Sequence, residues 1–202
     1  NNNGERKPLT LNGQKRWIDA KRSDGKVCTT HPCTPNFANP ENDFGLPQHG
    51  PARNADWKVL TETGDTVTIQ YYIEGGTYPH GLKIIQTVRI TDRSFELYTV
   101  HTHAGKDAVP LIYGEHFYWD APNGLEAMKV NELEIEELFI PKTGLVIVLN
   151  PTNTIEISGK PVITLEQENM PVGMIWHAEG DTKYICVEPV TMNPEKDELG
   201  KP

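Results

Sequence analysis

From Thr66 to Val187 the chain runs as short apolar-polar alternations cut by turn residues, and no helical period lasts more than about 10 residues. Thr66–Tyr72 puts Val67, Ile69 and Tyr71 on one face. Leu82–Ile90 does the same with Leu82, Ile84, Val88 and Ile90, leaving Gln86 as a polar exception. Phe95–Thr102, Leu111–Trp119, Leu145–Leu149, Thr154–Ile157, Met174–His177 and Tyr184–Val187 read as further strands. Turn chemistry separates them at Glu74-Gly75-Gly76, Thr91-Asp92-Arg93, Pro122-Asn123-Gly124, Ser158-Gly159-Lys160 and Glu179-Gly180-Asp181. Short strands joined in this way predict an all-β chain folded as an antiparallel β-sandwich or barrel. Val130–Phe139 is read as strand from its alternation over Glu132–Glu136, although its Glu and Leu content also suits a short helix. With no internal repeat and no linker, a single domain over residues 1–202 is expected, with about residues 1–8 and 194–202 poorly ordered.

Apolar residues make up 37% of the 202, enough for one sizeable core, and no run approaches the roughly 18–20 apolar residues of a transmembrane helix. Nineteen basic against twenty-eight acidic residues give a net charge of −9 without a basic stripe, which argues against nucleic acid as a partner. Cys28, Cys33 and Cys186 are odd in number and widely spaced. Cys28 and Cys33 could pair in a secreted chain, but thiols in a reducing compartment are the simpler expectation. The thiol reading makes a cytoplasmic location the expectation, and the Asn1-Asn2-Asn3-Gly4 start, with neither Met nor a hydrophobic segment, reads as a processed end.

Three segments carry the chemistry. Gln48–Trp57 (QHGPARNADW) holds His49, Arg53, Asn54 and Trp57 around a stiff Gly50-Pro51 turn. So many polar groups would need too many partners in a core strand, and the segment reads as a site loop. In Tyr113–Trp119 (YGEHFYW), His116 sits among aromatics. It is either a satisfied core histidine or a proton donor in a cleft whose rings stack on the C–H face of a sugar. In Tyr184–Pro189 (YICVEP), an apolar strand delivers Glu188 before a proline expected to end the ladder. Either Glu188 points to water, or it lies at the rim of a core where partial burial raises its pKa toward general-base range.

In this order the His-Gly-Pro-Ala-Arg-Asn string, the Gly-Glu-His-Phe-Tyr string and the Cys-Val-Glu-Pro string resemble the aldose 1-epimerases (galactose mutarotases). The first string is especially similar to the hexose-6-phosphate mutarotase branch, and His31-Pro32-Cys33-Thr34-Pro35 looks like its lead-in. The resemblance runs from about His31 to Thr191. It implies a compact galactose mutarotase-like β-sandwich with a sugar or sugar phosphate as its small-molecule partner, and neither metal nor other cofactor. Glu188 would be the base on the anomeric hydroxyl and His116 the acid at the ring oxygen. His49, Arg53, Asn54 and Trp57 would hold the substrate, Arg53 through its planar fork. The chain departs from the family pattern at Phe117, where a proline is usual after the histidine, and in its shorter length.

Two alternatives share a β fold. One is a sugar-binding sandwich without turnover. The other is a cupin-like barrel in which His101 and His103, two residues apart on one strand face, hold a metal with Asp107.

Overall fold

Antiparallel sheets dominate the computed structural model, which describes residues 9–11, 14–17, 20–21, 27–28, 30–37, 44–73, 78, 81–121, 123–142, 144–157 and 162–193. The termini expected to be poorly ordered, and the turns expected at Glu74–Gly76 and Ser158–Lys160, lie outside the described residues. Among the described residues the helical turns are three short 3-10 segments: Pro51–Asn54, Leu125–Ala127 and Ile135–Glu137. By its internal contacts the chain divides into two compact units. The first comprises Asn1–Thr10, Gln14–Pro32 and Tyr113–Asn193; the second comprises Leu11–Gly13, Cys33–Ile112 and Pro194–Pro202.

The second unit is built on a four-stranded meander: Lys58–Glu62, Thr66–Ile73, Leu82–Ile90 and Phe95–His103, paired in chain order. Eight consecutive residues of Thr66–Ile73 pair with Leu82–Arg89, from Ile73 against Leu82 to Thr66 against Arg89. This register places Ile73, Leu82 and Ile84 on one face, where they are buried with Ala52 and Tyr78. Tyr72 and Tyr98, on the other face, are exposed. The polar exception, Gln86, is buried on the core side and donates from Nε2 to Thr99 Oγ1 at 3.2 Å, which offsets its desolvation. At the Thr91–Ser94 turn, the Thr91 hydroxyl accepts from the backbone N–H of Arg93 and Ser94. The edge strand Lys58–Glu62 is exposed along its whole length, and its register slips between Val59 and Thr61.

The first unit contains a six-stranded and a four-stranded sheet. The larger runs in the order Leu145–Val148, Val172–Trp176, Tyr184–Val190, Gly114–His116 and His31–Cys33, and Tyr118–Asp120 also pairs with Tyr184–Val190. All seven residues of Tyr184–Val190 are buried. The strand does not stop at the carboxylate: it continues through Pro189, which lies opposite Gly173, to Val190 opposite Val172. The smaller sheet orders Leu133–Glu134, Met128–Val130, Thr152–Ile157 and Ile163–Glu166, with Met128, Val130 and Ile155 buried. The predicted strand Val130–Phe139 resolves into three pieces. One strand ends at Val130, Asn131 turns with φ 53°, and the two-residue strand Leu133–Glu134 runs into the 3-10 turn Ile135–Glu137. Both signals in that segment were local, and each governs only part of it.

Because Ile84 is fully buried, Ile84→Ala is expected to cost about 2–5 kcal/mol in urea unfolding. Val148→Ala, at a position 82% exposed, should stay within about 0.5 kcal/mol.

Candidate functional site

Two of the six candidate side chains meet directly. His116 Nε2 lies 3.3 Å from Glu188 Oε1, and both side chains are almost completely buried. Strand pairing explains the contact. Gly114 pairs with Val190 and Tyr118 with Cys186, so the intervening register sets His116 opposite Glu188. Thr191 N–H donates to Tyr113 carbonyl, which makes 191 and 113 a hydrogen-bonded pair. Counting inward, 190 with 114 and 188 with 116 are non-hydrogen-bonded pairs, the kind whose side chains stand closest. The position between them is Pro189 opposite Glu115, and proline has no N–H to give the Glu115 carbonyl. That carbonyl instead accepts from Phe117 N–H at 3.1 Å, and the strand expected over Leu111–Trp119 breaks there into Gly114–His116 and Tyr118–Asp120. A proline at 117 could not make this bond.

The neighbours of the pair come from the same face of the sheet. Met174 flanks Glu188 from the other side, while Trp176 and Tyr118 flank Cys186. The His116 ring stacks on Tyr118 (centroids 4.6 Å, interplanar angle 12°) and on His31 (4.8 Å, 26°), with Trp176 edge-on at 6.1 Å. Burial pushes the Glu188 carboxyl well above its ordinary value of 4.5, because ionisation there forfeits hydration. The sequence left Glu188 either facing water or at the rim of a core; it stands instead within a strand that is buried throughout. Of the residues around the pair, His31 and Cys186 were not expected, and Tyr118 was expected only as one aromatic among several. The period-two rule carried the signal for two of them, since Tyr118 follows His116 by two residues and Cys186 precedes Glu188 by two.

The other four candidates belong to the second unit. His49 is buried, with φ 63°, and its Nδ1 lies 3.2 Å from Cys33 Sγ. Its ring meets Phe37 edge-on at 5.6 Å. Gly50 is required: φ is +74°, and a Cβ there would lie 2.0 Å from Thr34 carbonyl oxygen. Pro51–Asn54 then forms a 3-10 turn with Ala52 buried and Arg53 and Asn54 exposed. Trp57 turns inward. Its Nε1 donates to Ala52 carbonyl at 3.1 Å, and its ring packs on Tyr71 at 5.7 Å. The segment is therefore a braced loop and not an open one.

His101 Nε2 is 3.1 Å from Thr34 Oγ1, and desolvation pulls its pKa down to about 4, which keeps the ring neutral. Asp107 is exposed. Among the described residues, His101 and His103 join no group of three His, Cys, Asp or Glu side chains close enough to share an ion. The expected cupin-like set is thus not assembled. Cys33 and Cys186 are buried, and the Cys28 side chain, with the Cys28–Cys33 pairing considered above, lies outside what is described. Among the described residues no helix is long and apolar enough to cross a membrane.

Solved structures share this all-β, antiparallel fold, the galactose mutarotase-like β-sandwich. A galactose mutarotase related enzyme from Lactobacillus acidophilus superposes with a TM-score of 0.69 at 16% identity, covering 91% of this chain and 77% of that one. A galactose mutarotase-like protein from Lactobacillus casei ATCC 334 gives 0.68 at 18% identity, covering 95% and 81%. A protein from Synechocystis sp. PCC 6803 gives 0.70 at 18%, covering 91% and 76%. No curated protein matches the sequence. The profile of the aldose 1-epimerase family matches residues 20–156, more than half of the chain. The protein belongs to the aldose 1-epimerase family, a family of isomerases acting on sugars. The matched span holds His49, Arg53, Asn54, Trp57 and His116 and ends before Glu188.

The raised Glu188 pKa fixes the sign of a stability effect. The folded state keeps this proton to higher pH than the unfolded state, so wild-type stability falls as pH rises from about 4.5 toward the folded-state pKa. Glu188→Gln removes the term. Its stability relative to wild type should therefore grow with pH over that window, by up to about 1.4 kcal/mol per pH unit. Urea unfolding at stepped pH reads this directly; a flat difference would show that the carboxyl ionises without penalty.

Proposed function

We propose that the chain works as one domain that interconverts the α and β anomers of an aldohexose or hexose 6-phosphate, with Glu188 as general base and His116 as general acid. The observation that carries this reading is the buried contact between the two groups, 3.3 Å from Nε2 to Oε1. The anomeric hydroxyl and the ring oxygen share one carbon, so an acid and a base placed side by side can reach both. Ionised Glu188 takes the proton from the anomeric hydroxyl while protonated His116 gives one to the ring oxygen, and the bond from C1 to the ring oxygen breaks. Rotation about C1–C2 presents the other face of the aldehyde. In reclosure Glu188 returns its proton to the carbonyl oxygen and His116 takes one back from the hydroxyl. The pair begins and ends with one proton between them.

Burial supports these roles. A carboxyl pushed upward in pKa is a stronger base when ionised, and its strength moves toward that of a hydroxyl under attack. Tyr118 and His31 hold the His116 ring by stacking, which limits the orientations from which it donates. His49, Arg53, Asn54 and Trp57 are assigned to the substrate. Arg53 and Asn54 stand exposed on a short turn whose backbone is fixed by Gly50. Trp57 is assigned as the wall behind that turn. A phosphorylated hexose is favoured by the Arg53 guanidinium, which can grip two oxygens at once. Buried thiols at Cys33 and Cys186 fit a cytoplasmic setting.

Relaxation of freshly dissolved α-glucose and α-glucose 6-phosphate, followed by polarimetry or NMR, tests the activity; no acceleration across a broad sugar panel would refute it. Glu188→Gln should slow the reaction about 10²–10⁴-fold while the protein stays folded. Wild-type rates in that variant would make the carboxyl structural. Arg53→Ala should weaken the phosphorylated sugar far more than the unphosphorylated one; equal losses would remove Arg53 from phosphate binding.

A further inference from the structure

We propose that His116, Cys186 and Glu188 form a zinc site, at which the ion acts as an inhibitor and not as a cofactor. The Nε2 or Nδ1 of His116, the Sγ of Cys186 and a carboxylate oxygen of Glu188 all lie within 4.8 Å of one another, and all three residues are buried. The placement follows from the strands. Cys186 and Glu188 stand two apart on Tyr184–Val190 and so project from one face, and His116 reaches the same face from the neighbouring strand.

The donor set selects the ion. One imidazole nitrogen, one thiolate and one carboxylate match the ligands of zinc, whereas magnesium and calcium prefer oxygen alone. Distances agree as well. Two ligands bonded at about 2.0–2.1 Å in a tetrahedron stand roughly 3.3–3.4 Å apart. The His116–Glu188 separation is 3.3 Å. With all three ligand atoms within 4.8 Å of one another, small side-chain movements bring them onto one ion. Binding expels the thiol proton to solvent, together with any proton held between Glu188 and His116, and no redox change occurs. Three protein ligands leave one position of the tetrahedron for water. The bound ion would occupy the lone pairs that the acid–base reaction uses, and this inhibitory consequence alone rests on the proposed function.

Cobalt(II) is the probe, since it takes zinc sites and reports a bound thiolate by a charge-transfer band in the near ultraviolet. Titrating the metal-free wild-type protein should develop that band to one equivalent of thiolate, and added Zn²⁺ should bleach it. Cys186→Ser should remove that equivalent and weaken zinc by at least about 100-fold, given that loss of even an outer partner costs about 10–100-fold. Glu188→Gln keeps the thiol, and should weaken cobalt while retaining a band at saturation. This second variant decides the matter should Cys186→Ser fail to fold. No band in the wild type, a band unchanged by Cys186→Ser, or unaltered cobalt affinity in Glu188→Gln would each overturn the site. Measured against its own metal-free rate, Cys186→Ser should isomerise sugar undiminished at zinc concentrations that inhibit the wild type. Zinc binding that left isomerisation untouched would uphold the metal site and count against His116 and Glu188 as the catalytic pair.

Discussion

The first unit is organised around one costly placement, a carboxyl group in the middle of a strand whose seven residues are all buried. A carboxylate taken from water loses several kcal/mol, so the Glu188 carboxyl keeps its proton to higher pH, and His116 stands against it at 3.3 Å. That partner depends in turn on the register of Gly114–His116 and Tyr118–Asp120, and on the Phe117 N–H that replaces the donor missing from Pro189. A shift of one residue in either neighbour would send His116 to the opposite face and leave the carboxyl stranded. The proline, the interruption at Phe117 and the pairing of acid with base are therefore one structural arrangement.

The second unit fixes its polar segment by a different means, close backbone approach. Thr34 and His49 are joined through N–H and carbonyl at 3.2 Å, and Gly50 N–H closes on Pro47 carbonyl at 2.9 Å. Two consecutive residues, His49 and Gly50, hold positive φ. The loop thus has little freedom where it matters, and Arg53 and Asn54 project from a turn whose origin is anchored. Rigidity of this kind lowers the ordering cost of holding a ligand.

Strand existence was legible in the sequence wherever alternation was long. Leu82–Ile90 has the predicted ends, and Thr66–Tyr72 and Phe95–Thr102 each extend one residue further. Leu82–Ile90 buries Leu82, Ile84 and Gln86 in alternation, and Phe95–His103 alternates half-buried with exposed residues, which is the condition under which period two leaves a trace. Tyr184–Val190 is buried throughout, has no polar alternation to mark its end, and was read three residues short. The strand Lys58–Glu62 was missed for the opposite reason, since all five of its residues face solvent. Among the site residues, Glu188 and His116 were recognisable as chemistry, but their contact was not, because the register depends on hydrogen bonds between segments 70 residues apart. The resemblance assigned Trp57 to the substrate; its indole N–H bond to Ala52 and its packing on Tyr71 are tertiary facts that no local pattern carries.

The exposed strand Lys58–Glu62 has a consequence for the protein in crowded solution. As the edge of the meander it presents backbone groups to which a foreign strand could add, and Val59 and Leu60 would make such an addition favourable. The slip between Val59 and Thr61 breaks the straight ladder that a newcomer would need, and Lys58 and Glu62 place a charge at each end. Two neighbouring molecules meeting edge to edge would find their hydrogen-bonding groups out of step. The irregularity that costs this sheet one regular pair thereby protects it from growing into an aggregate.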